Sequence, residues 1–157
     1  MIVVSDTSPL NYLVLIGHID LLPRLYERIV IPRAVLSELS ADKAPKPIKR
    51  WIQHLPNWIV ISEAVNQDPS LFYLDRGEQD GIALAQSIHA DIILLDEFEA
   101  REAAKARNVP ITGTLGVLLT AAENGWINFP KALEDLRATN FRAASSLIDR
   151  LLEQNKK

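Results

Sequence analysis

Apolar residues in this chain fall into short solid runs, separated by longer stretches in which they recur every three or four positions. The runs Ile2-Val3-Val4, Ile29-Val30-Ile31, Ile59-Val60-Ile61 and Ile92-Ile93-Leu94-Leu95 are rich in β-branched residues and do not alternate with polar ones. Strands of that kind are covered on both faces, the habit of parallel sheets. They predict strands at the start of the chain and at residues 28–31, 58–61 and 92–95, with a short fifth at 109–112. The stretches between them carry helix punctuation. A helix over residues 9–16 is closed by Gly17, and a second covers 19–26. Pro32 opens a third, with Val35, Leu36 and Leu39 at helical spacing and Glu38 on the flank of that stripe. A proline-punctuated helix follows at 43–55. Asp75, with Glu78 three residues on, forms a capping-box pattern before a helix that runs to His89. An alanine-rich helix at 97–107, one at 115–123 capped by Thr114, and two more at 130–137 and 142–154 complete the chain. Alternating strands and helices throughout 157 residues predict one α/β domain, a parallel five-stranded sheet with helices on both faces.

At the end of the first strand the sequence reads Val4-Ser5-Asp6-Thr7-Ser8-Pro9. Ser8 is placed to cap the next helix and Pro9 to be its first residue, which leaves Asp6 at the carboxyl end of a central strand. In open α/β sheets that edge is where ligands bind.

Composition narrows the chemistry. No cysteine is present, so thiolate metal sites and disulfides are excluded and a reducing, cytoplasmic setting is expected. No apolar run approaches the roughly 20 residues of a membrane span, so no membrane partner is expected. A net charge of −3 argues against a broad basic face for duplex nucleic acid. His18, His54 and His89 show no ligand spacing, and Trp51, Trp58 and Trp126 lie among apolar residues, as core tryptophans do.

The acids are the informative residues. Between Asp75 and Glu102 there are eight of them and only two cations, Arg76 and Arg101. Most are solvated, but Asp6 and Asp96 each end a strand of buried character. If those strands are neighbours, the two carboxylates converge and repel unless a cation lies between them. Hard oxygen ligands without histidine or cysteine suit Mg²⁺ or Mn²⁺, the ions of phosphoryl transfer.

Four segments together resemble the PIN-domain family, and within it the VapC-like ribonuclease toxins and a neighbouring, less characterised branch. They are Val4-Ser5-Asp6-Thr7-Ser8, the stretch from Ile31-Pro32-Arg33 to Ser37-Glu38-Leu39, the stretch from Gly77-Glu78-Gln79-Asp80 to Ala85, and Leu94-Leu95-Asp96-Glu97. The resemblance implies a three-layer α/β/α sandwich in which the first strand lies between the second and the fourth. It implies a metal-dependent ribonuclease cutting single-stranded RNA, with Asp6, Glu38, Asp80 and Asp96 as the acidic quartet holding Mg²⁺ or Mn²⁺. Glu78 and Glu97 are additional candidate ligands, although the capping box already accounts for Glu78. The resemblance further implies a homodimer and an antitoxin protein as partner. For the dimer, the aliphatic helices around residues 9–25 and 115–122 offer the apolar surface.

Ser5, Thr7 and Ser8 are expected to orient Asp6 by hydrogen bonding. Lys43, Lys46, Lys49, Arg50 and Arg76 are the expected phosphate grip, since an acidic pocket by itself repels RNA. A receiver domain is disfavoured because the last strand runs into Thr112-Gly113-Thr114 without the lysine it requires. A haloacid-dehalogenase-type phosphatase is disfavoured because Ser8 stands where a second aspartate belongs. A PIN-like binding module without catalysis is the alternative, and divalent-metal affinity separates the two.

Overall fold

A computed structural model describes residues 1–63 and 66–156. Its strands are β1 (Val3–Ser5), β2 (Ile29–Pro32), β3 (Ile59–Ser62), β4 (Ile92–Leu94) and β5 (Ile111–Thr112). They form one sheet in the order β3-β2-β1-β4-β5, and every pair is parallel. β1 therefore lies between β2 and β4, as expected, with Ser5 opposite Leu94 in register.

The solid apolar runs are explained by which face each residue feeds. Val3, Ile29, Ile31 and Leu94 join one buried cluster, and Val4, Ile93 and Leu95 join another on the opposite side of the sheet. Successive strand residues point to opposite faces, so a strand covered on both sides has no polar position to offer. The first face is covered by α1 (Thr7–Leu15), α2 (Leu21–Tyr26), α3 (Arg33–Leu39), α4 (Lys46–Gln53), α7 (Thr114–Glu123), α8 (Phe129–Arg137) and α9 (Ser145–Lys156). The second is covered by α5 (Arg76–Ser87) and α6 (Phe98–Ala106). The result is the expected three-layer sandwich.

The differences from expectation lie at element ends, and they have local causes. α1 begins two residues early: Asp6, not Ser8, occupies the N-cap, and Pro9 is the third helical residue. α7 begins at Thr114 with Gly113 before it, so Thr114 is not a cap. Both hydroxyls have been drawn off to a carboxylate, as described below. α4 starts only at Lys46, after Pro45, with Pro47 in the first turn where a missing N–H is tolerated. α9 starts at Ser145 because the residues before it are held by α1: the Tyr12 hydroxyl donates to Asn140 Oδ1 at 2.9 Å, and the Tyr12 and Phe141 rings meet edge to face at 5.0 Å.

The apolar residues expected to form a dimer face are largely used within the chain. Leu10, Leu13, Leu21, Leu22, Val117, Leu118 and Leu119 of α1, α2 and α7 all belong to the first core cluster. Trp51, Trp58 and Trp126 pack against the same cluster, half-buried, as expected. No described helix is long and apolar enough to cross a membrane.

Phe129, at the start of α8, is the bulkiest of the completely buried side chains. Phe129→Ala should cost about 3–5 kcal/mol of folding free energy. Urea denaturation would measure it, and a cost below about 1 kcal/mol would show that α8 packs more loosely than it does here.

Candidate metal centre

Parallel β1 and β4 bring their carboxyl ends side by side, and the Asp6 N–H donates to the Leu94 carbonyl at 3.0 Å. Asp6 stands in the N-cap position of α1, yet its side chain accepts no capping bond. It is buried at 3% exposure, and its Oδ1 has no hydrogen-bond partner. A carboxylate oxygen left bare in the interior costs free energy unless something absent from the chain itself satisfies it.

Three carboxylates meet at that point. One oxygen each from Asp6, Glu38 and Asp75 lie within 4.8 Å of one another. Glu38 reaches in from α3, where its Oε1 accepts the Gly77 N–H at 3.0 Å and its Oε2 accepts the Thr7 hydroxyl. Gly77 is glycine for a steric reason. A Cβ at that position would lie 2.8 Å from Glu38 Oε2 and 2.9 Å from Asp6 Oδ1, filling the space on which the acids converge. A cradle of hard oxygens, one of them orphaned and buried, fits a divalent cation such as Mg²⁺ or Mn²⁺.

The electrostatics agree with the geometry. Burial pushes the Asp6 carboxyl well above the ordinary aspartate range, the Thr7 N–H partly offsets this, and the Asp75, Glu78 and Glu38 charges add to the rise. Glu78 is pushed up to about 7, by burial first and then by Asp75. Two buried carboxyls, Asp6 and Glu78, that hold their protons more tightly than usual would both be eased by positive charge placed nearby.

The sequence-predicted residues distribute unevenly around this centre. Asp6 and Glu38 are in it. Asp75, expected only as a helix cap, completes it, while also accepting the Glu78 N–H at 2.9 Å in the expected capping box, to which Glu78 replies through the Asp75 N–H. Asp80 is not among the three. It is buried on α5, pairs with Arg76 at 2.9 Å, and has a bare Oδ1 of its own. With Glu38, Arg33 and Arg76 it lines a cavity of about 570 Å³.

Asp96 stands beside the group, tied down by three donors: the Ser8 hydroxyl, the Thr114 hydroxyl and the Thr114 N–H, each at 2.8 Å. Ser8 and Thr7 therefore orient Asp96 and Glu38, not Asp6 as expected, and the Ser5 hydroxyl donates to the Asp6 backbone carbonyl. Glu97 is exposed at the head of α6 and caps nothing. Of the expected grip, Arg76 borders the acids, while Lys43, Lys46 and Arg50 are exposed and Lys49 is half-buried. These four make no ion pair among the described residues. The spacing of Asp75 two residues before Gly77 was the available signal for the third acid, but its capping role already explained it.

Known proteins give three findings. A family model described as a PIN domain matches residues 2–157. Among solved structures, a PilT N-terminus domain protein from the hyperthermophilic archaeon Sulfolobus solfataricus superposes with a TM-score of 0.54 at 12% identity, covering 92% of this chain and 100% of that one. That likeness is one of fold. No curated protein sequence matches the chain.

The raised Asp6 pKa has a consequence in metal-free buffer. Folding tightens the hold on this proton relative to an unfolded aspartate at about 3.9, so stability is fullest below that value and is lost as pH rises toward the folded pKa. Glu78 acts in the same sense, up to about 7. The metal-free protein should melt lower at about pH 8 than at about pH 5. Asp6→Asn should raise the melting temperature at the higher pH by on the order of 3 °C and reduce the slope between the two. Calorimetry at both pH values checks this, and a lower melting temperature for the variant at about pH 8 would contradict it.

Proposed function

We propose that this chain, which belongs to the PIN-domain family, is a divalent-metal-dependent endoribonuclease that cuts single-stranded RNA. PIN domains have a nuclease-type fold, and the observation that carries the reading here is the bare Oδ1 of Asp6, buried where Glu38 and Asp75 converge on it. A scaffold kept only for binding has no reason to sustain the cost of that oxygen.

Asp6, Glu38 and Asp75 would hold the Mg²⁺ or Mn²⁺ ion. When bound, such an ion neutralises charge developing on a phosphodiester and favours attack by water. The chain's own part is to keep the acids still. The Gly77 N–H and the Thr7 hydroxyl fix both oxygens of Glu38, and Ser8 with Thr114 fix Asp96 next to the centre. So held, Asp96 would offer a further carboxylate oxygen beside the ion. Asp80 is the candidate on the opposite flank, in a cavity where Arg76 pairs with it and Arg33 pairs with Glu63. Glu78 is buried near enough for its charge to raise the Asp6 pKa and is occupied in the capping box, while Glu97 is in solvent.

Substrate is gripped away from the acids. The exposed, unpaired cations Lys43, Lys46 and Arg50 follow the Glu38 helix directly, and phosphate contacts by such side chains supply the salt-dependent share of affinity. The family resemblance extends the proposal to a toxin role: a homodimer restrained by an antitoxin protein that blocks the acidic centre with a cation, in the cytoplasm.

Four variants test the proposal. Asp6→Asn should reduce Mn²⁺-dependent cleavage of a single-stranded oligoribonucleotide by at least about a hundredfold, in line with losing a principal metal ligand, and EDTA should silence the parent protein. Asp75→Asn should weaken Mn²⁺ binding by calorimetry more than Asp80→Asn does. Activity that survives both Asp6→Asn and EDTA would remove the mechanism. Lys46→Glu combined with Arg50→Glu should lower RNA affinity and shrink its salt slope by about two while Mn²⁺ affinity stays the same; an unchanged slope would move the grip elsewhere.

A further inference from the structure

We propose that the cavity on the Asp96 side of the acids seats one unpaired nucleotide of the substrate, its base stacked on Phe98 and its phosphate met by Arg142. The inference rests on the ribonuclease reading and adds where the strand runs and what it offers to the protein.

Phe98 opens α6 and is 74% exposed; among the described large apolar residues only Met1 is more so. An aromatic ring left in water beside a cluster of acids is doing none of the packing for which phenylalanine is ordinarily used. It forms part of the wall of two cavities. One, of about 510 Å³, is lined by Asp75, Glu78, Glu97 and Glu99 and contains no cation. The other, of about 530 Å³, runs from Asp96 past Phe98 to Arg101 and Arg142, over apolar residues that include Leu115 and Leu147. Its volume is within the roughly 300–1,000 Å³ of small-ligand sites.

Charge chooses between the two. A phosphodiester chain passing the acids is repelled along the first cavity and attracted along the second. Arg101 is partly committed, since its Nη1 donates to the Leu95 carbonyl at 2.8 Å. Arg142 is exposed and makes no ion pair among the described residues. It is nevertheless well placed, because its neighbours Asn140 and Phe141 are both held by Tyr12 of α1. An apolar floor, an exposed aromatic ring and a free guanidinium beside the scissile centre are the parts of a base-stacking subsite for single-stranded nucleic acid. Only an unpaired base can present its face to Phe98, so the subsite selects single strands without reading sequence.

The test reads binding alone, in an Asp6→Asn background that does not cut. Fluorescence anisotropy would compare a labelled single-stranded oligoribonucleotide with a base-free ribose-phosphate oligomer of the same length. Phe98→Ala should weaken binding of the oligoribonucleotide about tenfold, the scale of one lost base stack. Phe98→Trp should preserve it, and the base-free oligomer should bind all three proteins alike. Arg142→Glu should weaken both ligands. Unchanged RNA affinity in Phe98→Ala overturns the proposal, including the case in which that variant loses a protein inhibitor instead. Equal losses for both oligomers overturn it as well. Phe98-dependent binding of RNA that the parent protein never cleaves would keep the subsite and remove the ribonuclease reading, while cleavage with Phe98-independent affinity would do the reverse.

Discussion

The carboxyl group of Asp6, buried at the end of the central strand with one oxygen unpartnered, is the constraint around which the surrounding structure is arranged. An isolated carboxylate there would be expensive, and two more acids brought within 4.8 Å make it more so. Among the described residues no arginine or lysine forms an ion pair with Asp6, Glu38 or Asp75 to relieve this. The fold uses neutral donors to position the acids and leaves the charge uncompensated, which is the condition under which a divalent cation binds by completing the structure.

The topology makes the convergence possible. Placing β1 between β2 and β4 puts Asp6 beside Asp96, whose strand is its direct neighbour, and beside Glu38, whose helix follows the strand on the other side. α5 approaches from the opposite layer and lays its first turn over the group. Gly77 permits that approach, and its N–H bonds Glu38 in the space where a side chain would have collided. The capping box of α5 then holds Asp75 in place with the same contacts that start the helix. The contacts that start the helix are therefore also the ones that bring Asp75 to the other two acids.

Much of this was legible in the amino-acid order. The non-alternating apolar runs identified the strands, and those of β1, β2 and β4 lie under cover on both faces, whereas the edge strand β3 leaves Val60 exposed; a carboxylate follows the ends of two of them. The capping box was equally readable because its two partners are only three residues apart. What escaped was everything that depends on a donor changing allegiance. Ser8 and Thr114 look like helix caps in sequence, but Asp96, distant along the chain, takes both hydroxyls and each helix starts from the residue's own position or earlier. Asp75 escaped for the opposite reason: a sufficient local role concealed its part in a long-range group. Asp80, with no local role to explain it, was read as one of four ligands; Arg76, one turn back, pairs with it beside the three acids that meet. The apolar surface read as a dimer face was spent on packing α1, α2 and α7 together, which no local pattern could reveal.

The central claim is that a divalent cation completes the cluster at Asp6. Crystals soaked in Mn²⁺ and measured for anomalous scattering at the manganese edge would test it most directly. The account predicts a peak within coordinating distance of Asp6 Oδ1, with Glu38 and Asp75 among its ligands. A peak held only by surface acids, or none near Asp6 at saturating Mn²⁺, would contradict it.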